Sequence, residues 1–110
     1  MSWLLRDGDV LAAIEDPRKG WQRTLQGAVL LPRPAVVHTL VDAVGLDVAW
    51  CGRATIGNGE PGLRVRRIAA LPPRRMARPH IGAGALLVAP AGTFERWHLV
   101  VGDCLEVRGV

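Results

Sequence analysis

Four polar side chains with catalytic chemistry lie within ten residues of one another in an otherwise apolar stretch, residues 36–51. They are His38, Thr39, Asp42 and Asp47. An imidazole held by a carboxylate is a common general base, so His38 with Asp47 or Asp42 is the candidate pair for acid–base catalysis. A polar side chain in such a stretch is either paired or functional, because leaving it buried and unpaired costs about 1–3 kcal/mol.

The same segment is the candidate ligand-binding surface, which we predict to include His38, Thr39, Asp42, Asp47 and Trp50. The single serine is Ser2, so the segment offers no serine nucleophile. For Asp47 we favour a structural interpretation over a catalytic one. A short carboxylate at a turn accepts hydrogen bonds from backbone N–H groups, here those of residues 41–45.

Side chains that can bind metals are present, but their spacing does not form a metal motif. They are His38, Asp47, Cys51, His80, His98 and Cys104. No two of them follow a CxxC or HxxxH pattern, which a zinc site commonly uses. No glycine-rich phosphate loop precedes a helix either. The sequence therefore predicts neither a metal nor a cofactor.

Two strands should position the central residues. Alternation over 46–51 places Leu46, Val48 and Trp50 on one face of a strand, with Asp47 on the other. For a second strand over 63–71, the same rule predicts one face that includes Arg67 and another that includes Arg64. The full sets are Leu63, Val65, Arg67, Ala69 and Leu71 on one face, and Arg64, Arg66 and Ile68 on the other.

Turn signals divide the rest of the chain into short strands. Asp7-Gly8 predicts a hairpin between strands 3–6 and 10–14. Further strands are predicted over 28–31, 35–40, 85–89 and 104–108, the last with Leu105 and Val107 facing inward. A helical turn over 93–98 should have Thr93 as its N-cap, and Trp21 and Leu25 should pack on the body from a short helical segment. The prediction is a single domain, 1–110, that is mainly β: a small sandwich or distorted barrel with one or two short helices.

Composition restricts the class of protein. The 110 residues are 49% hydrophobic and 22% charged, as in a globular domain. No apolar run approaches the roughly 18 residues of a membrane span, and the N-terminus lacks signal-peptide features. Two cysteines outside any CxxC spacing predict free thiols in a cytoplasmic protein.

The net charge is +4, and Lys19 is the only lysine. Arginine binds phosphate well through two parallel N–H bonds. A basic composition by itself, however, affects solubility and the long-range electrostatic field and does not indicate a specific site. We predict no specific nucleic-acid partner. Any nucleic-acid affinity should be non-specific and carried by Arg64, Arg66, Arg74, Arg75 and Arg78.

One family resemblance is carried by the decapeptide 38–47, HTLVDAVGLD. It resembles the signature of the bacterial and archaeal domain of unknown function 192 family. In one branch of that family the signature reads His-Thr-x-Gly-Met-x-x-Pro-Ile-Asp. His38, Thr39 and Asp47 match it without gaps, and segments 27–31, 85–92 and 102–103 resemble other family segments in the same order. The resemblance covers nearly the whole chain from about Leu11.

The chain departs from the family signature at four positions, Val41, Asp42, Gly45 and Val88. It therefore resembles a divergent member. The family has no established activity, so the resemblance implies a compact, mainly β fold and little chemistry.

Two functions are carried forward from the sequence. The favoured one is a non-enzymatic binding or accessory module with a protein or small-molecule partner, present as a monomer or weak homodimer. The alternative is a small hydrolase-like or metal-dependent enzyme that uses His38 and Asp47.

Overall fold

The computed structural model describes residues 1–32, 37–38, 45–57, 59–77 and 84–109. Nine strands and two helices are formed within these ranges. In chain order they are β1 (Ser2–Arg6), β2 (Asp9–Ile14), α1 (Trp21–Thr24), β3 (Val29–Pro32), β4 (Val37–His38), β5 (Leu46–Thr55), β6 (Pro61–Leu71), β7 (Met76–Ala77), β8 (Ala85–Pro90), α2 (Thr93–Arg96) and β9 (Cys104–Gly109). The mainly β architecture with two short helices is confirmed.

Within the described ranges, seven strands form one antiparallel sheet in the order β2-β1-β9-β6-β5-β8-β3, and β4 pairs with β7 in a separate two-stranded sheet. The central hairpin is the long pair β5–β6. No helix of the described part is long and apolar enough to cross a membrane.

The two edges of the large sheet approach each other at one point. Ile14 at the end of β2 and Ala28 before β3 form a single parallel bridge, with Glu15 N donating to Ala28 O at 2.7 Å and Ala28 N donating to Ala13 O at 3.0 Å. The bridge does not continue as a ladder, so the sheet is not closed into a barrel.

A carboxylate reinforces this junction. Glu15 accepts hydrogen bonds from the backbone N–H groups of Gln26, at 3.1 Å, and Gly27. A Cβ on Gly27 would meet the carbonyl oxygen of Ala13. Because that atom belongs to the backbone and cannot swing away, the junction requires glycine.

Both faces of the sheet are buried around β5. One face carries the α1-side core, against which Trp21 also packs: Leu25, Val29, Leu46, Val48, Trp50, Leu71, Leu86 and Val88. The other carries the α2-side core: Leu4, Ala28, Ala49, Cys51, Val65, Leu87, Ala89, Phe94, Leu99 and Leu105. The predicted faces of strand 46–51 are confirmed, because its alternate residues divide between the two cores.

The predicted faces of β6 are wrong over half the strand. Leu63 and Val65 pack in or against the α2-side core, whereas Leu71 belongs to the α1-side core. The cause is a β-bulge: Trp50 pairs with Arg67 and Cys51 pairs with Val65, which leaves Arg66 as the extra residue. One inserted residue reverses the alternation on either side of it.

Two smaller predictions also fail. Val107 was expected to face inward with Leu105, but it is exposed, while Leu105 is buried. Thr93 is not the N-cap of α2. That position belongs to Gly92, which has φ +87° and offers no side-chain cap bond. Phe94 and Trp97, three residues apart in the predicted helical turn, have ring centroids 5.6 Å apart.

Candidate functional site

The structure places two of the residues predicted to form one ligand surface, Asp47 and Trp50, on opposite faces of the sheet. Asp47 and Trp50 are three apart on β5, so their side chains point to opposite faces of the sheet. Trp50 lies in the α1-side core. His38 is paired through its backbone with Met76 in the β4–β7 ladder. Thr39 and Asp42 lie outside the described residues, as does His80.

Asp47 is buried, with 7% of its surface exposed. Its Oδ2 accepts a hydrogen bond from the backbone N–H of Phe94, at 2.9 Å. Phe94 is in the first turn of α2, whose N–H groups have no partners inside the helix. Asp47 therefore supplies from β5 the cap that Gly92 lacks. The predicted donors are the backbone N–H groups of residues 41–45, of which residues 41–44 lie outside the described ranges.

A second charged side chain holds the other end of α2. Arg6 of β1 donates to the carbonyl oxygen of Trp97 at 2.5 Å and pairs with Oδ2 of Asp103 at 3.0 Å. The same carboxylate oxygen of Asp103 accepts the backbone N–H of Val100 at 3.0 Å. These charges hold the helix and the turn after it in place, and they are part of the scaffold.

The cysteines are free thiols. Cys51 is fully buried in the α2-side core, and burial raises the pKa of its thiol to about 12. It is therefore protonated and unreactive at neutral pH, because the thiolate is the nucleophile and the metal ligand. Within the described ranges, no three His, Cys, Asp or Glu side chains come together as a group able to hold a metal ion.

The exposed polar feature of the central hairpin is a row of guanidinium groups that we call the arginine face, made of Arg64, Arg66 and Arg67 of β6. All three residues are exposed. Arg67 pairs with Trp50 and Arg64 with Gly52, both of which belong to the α1 side of β5. The bulge brings Arg66 to that side as well, because its guanidinium lies where a Cβ of Gly52 would stand.

Trp50 and Gly52 position this row. The guanidinium carbon of Arg67 lies 5.3 Å from the centroid of the Trp50 ring, within the range of a cation–π contact. A guanidinium stacked on a ring keeps its N–H edge free to bind an oxyanion through two parallel hydrogen bonds. Gly52 has no side chain, so Arg66 can lie directly over the strand.

The arginine face has no internal counter-charge in the described part of the chain. The ion pairs found there include those of Arg6 with Asp103, Arg18 with Asp16 and Arg108 with Glu106. None involves Arg64, Arg66 or Arg67. Three neighbouring cations without a carboxylate form a site that can hold an anion by charge-assisted hydrogen bonds.

The sequence pattern predicts Arg64 and Arg66 as basic surface residues but places Arg67 on the opposite face. One signal was available in the sequence. The run Arg66-Arg67 puts two charged residues in succession inside a strand of alternating pattern, where one of them would face a core. A bulge resolves that conflict by letting both residues face solvent.

Two open depressions occur elsewhere on the described surface. One of 490 Å³ lies at the tip of the β5–β6 hairpin and is lined by Arg53, Thr55 and Pro61 among others. The other, of 540 Å³, lies between the end of β2 and α1 beside Trp21, with acidic and basic side chains mixed around it. The described lining of the two depressions does not include Asp47 or Trp50.

The comparisons with known proteins add no assignment. No family model, no curated protein and no solved structure matches this chain.

Proposed function

We propose that this chain is a non-enzymatic binding module and that the arginine face is its contact surface for an anionic partner. The single observation that carries the proposal is the contrast in how charges are used. Arg6 and Asp103 satisfy one another inside the fold, whereas the arginine face, with no carboxylate partner among the described residues, is presented on the most extensively paired hairpin.

An exposed row of like charges has an energetic cost that a ligand would relieve. Arginine side chains two apart on a strand leave it about 7 Å apart. At that separation the repulsion of two unit charges is about 0.6 kcal/mol even in bulk water. An oxyanion placed between the guanidinium groups replaces repulsion with charge-assisted hydrogen bonds.

The enzyme alternative requires Asp47 as an acid, base or ligand. Its carboxylate is buried and one of its oxygens is bonded to the backbone of α2. That arrangement supports a role for Asp47 in the scaffold of a binding module. No described feature adds a specific argument for turnover.

Two further proposals belong with this function. The order of motifs around His38, Thr39 and Asp47 supports membership of the domain of unknown function 192 family as a divergent member. The unpaired thiols of Cys51 and Cys104 support a reducing compartment, and we propose the cytoplasm.

The proposed function is tested with a charge-matched pair of triple variants of the full chain. The test variant carries Arg64→Gln, Arg66→Gln and Arg67→Gln. The control carries Arg18→Gln, Arg53→Gln and Arg108→Gln, which removes the same charge from exposed positions elsewhere.

Binding of three anionic probes is then measured by calorimetry at low salt: a glutamate-rich peptide, a single-stranded oligonucleotide and pyrophosphate. We expect at least one probe to bind the parent and the control alike and to bind the test variant at least tenfold more weakly. If every probe binds the two triple variants equally, the arginine face is not the contact surface and the proposed function is wrong.

A further inference from the structure

We infer that the partner of the arginine face is an extended acidic segment of a polypeptide, with carboxylates at alternate positions. This inference rests on the proposed function and specifies its ligand. All three arginines of the row come from one strand, so their backbone positions follow its axis.

The spacing of the row fits a strand-like partner. Arg64 to Arg67 spans three residues, about 10 Å along β6. In an extended peptide, side chains on one face recur every two residues, about 6.6–6.8 Å. Two alternate carboxylates therefore fit within the length of the row, and each can accept two N–H groups of a guanidinium.

The surroundings of the row argue against a single-stranded nucleic acid. Proteins that bind single strands stack bases on aromatic side chains. Trp50, the ring nearest the row, is only 5% exposed and is covered by Arg67. Among the described residues, every tryptophan and phenylalanine is buried or half-buried. The arginine face thus offers positive charge and paired N–H donors, but no exposed aromatic ring on which a base could stack.

Charge complementarity also selects against neutral or basic peptides. The ion pairs of the described residues leave Arg64, Arg66 and Arg67 without a carboxylate partner, and a segment lacking acidic residues would gain no charge-assisted bond from them. Carboxylates at alternate positions match the two-residue step from Arg64 to Arg66 on β6. The intervening side chains of such a segment would face solvent.

The experiment compares four probes on the full chain by fluorescence anisotropy. The first is a labelled peptide with glutamate and threonine alternating, and the second has the same composition with its glutamates in one block. The third replaces glutamate with glutamine, and the fourth is a single-stranded oligonucleotide of equal charge. Each is titrated into the parent, the arginine-face triple variant and the charge-matched control.

We expect the alternating glutamate peptide to bind the parent more tightly than the block peptide and the oligonucleotide do, and the glutamine peptide not to bind. The arginine-face variant should bind the alternating glutamate peptide at least tenfold more weakly than the parent does, and the control variant less than twofold more weakly. Both variants should keep the parent's circular dichroism spectrum, which shows that the loss is not unfolding.

Other outcomes separate this inference from the function on which it rests. If the oligonucleotide is bound more tightly and its binding alone depends on the arginine face, the acidic-segment inference is overturned while the contact surface stands. Equal affinity for the alternating and block peptides overturns the extended register. Equal binding of every probe by the two triple variants overturns both proposals.

Discussion

Around α2, a four-residue helix is held at each end by a charged side chain from a strand, Asp47 at the start and Arg6 at the end. On the arginine face, three charged side chains of one strand have no carboxylate partner within the described ranges. The two regions share the β5–β6 hairpin as scaffold, since Asp47 is on β5 and the row is on β6. Charges with partners inside the fold therefore belong to the scaffold, and exposed charges without such partners are available to a ligand.

Replacing Asp47 should give the largest loss of stability. Asp47→Ala leaves the buried N–H of Phe94 without its acceptor, and hydrogen bonds to charged groups contribute about 1.5–3 kcal/mol. We expect the free energy of unfolding in urea to fall by about that amount. Asp47→Asn keeps an acceptor oxygen and should cost less. If Asp47→Ala is as stable as the parent, Asp47 does not belong with the scaffold charges.

Replacing Arg6 should give the next largest loss. Arg6→Gln removes the ion pair with Asp103 and the bond to the carbonyl of Trp97. Because Arg6 and Asp103 are partly exposed, we expect a loss of about 1–2 kcal/mol in the free energy of unfolding. The matched control is Arg108→Gln, whose ion pair with Glu106 lies at the surface and should change stability by less than about 0.5 kcal/mol. Equal effects would remove the distinction between the two pairs.

The thiol of Cys51 reports whether the α2-side core is closed. Burial raises the pKa of this thiol to about 12 from an ordinary value of 9.0. Between these two pH values the folded state keeps the thiol proton, whereas the unfolded chain has released it. The contribution to stability is complete below about pH 9 and is lost as the pH rises from 9 through 12. We therefore expect the free energy of unfolding in urea, measured at successive pH values above 9, to fall less steeply in Cys51→Ala than in the parent.

The same thiol should be labelled only after unfolding in the parent. Because Asp47→Ala releases the first turn of α2, that variant should label Cys51 faster under native conditions. Cys104, which is only partly buried, provides the internal reference. A labelling rate at Cys51 that equals the rate at Cys104 in the native parent would contradict a closed core.

Gly52→Ala should alter the arginine face with little change in stability. The new Cβ would occupy the position of the Arg66 guanidinium, which is the end of a flexible side chain and can move aside. We expect anion binding to fall several-fold while the free energy of unfolding changes by less than about 1 kcal/mol. Gly57→Ala is the control, since nothing lies within 4 Å of a Cβ there. If Gly52→Ala binds anions as tightly as the parent, anion binding does not depend on the position of the Arg66 guanidinium over Gly52.

The smallest effect concerns nucleic acid. We expect weak, non-specific binding that decreases roughly ten- to a hundredfold between 50 and 200 mM salt, as three to five released counterions require. Filter binding with oligonucleotides of different sequence measures both properties. Tight binding that survives high salt, or a preference for one sequence, would contradict this prediction. Arg78, one of the arginines assigned to it, lies outside the described residues.

The sequence alone determined the period-two features of this protein. Asp7-Gly8 placed the first hairpin because its backbone conformations suit a tight turn, and both residues have positive φ, 53° and 84°. The alternation of Leu46, Val48 and Trp50 set one face of β5, since side chains on a strand alternate by geometry. Composition and turn spacing gave the mainly β class for the same local reason.

Tertiary structure decided what depends on pairing between distant segments. The bulge at Arg66 arises from the register of β6 against β5, and it alone brings Arg64, Arg66 and Arg67 to one side. The partner of Asp47 is 47 residues away in α2, and that of Arg6 is 97 residues away in the turn before β9. Local propensity does not encode such separations, because a hydrogen bond between distant segments exists only once the sheet has placed them together.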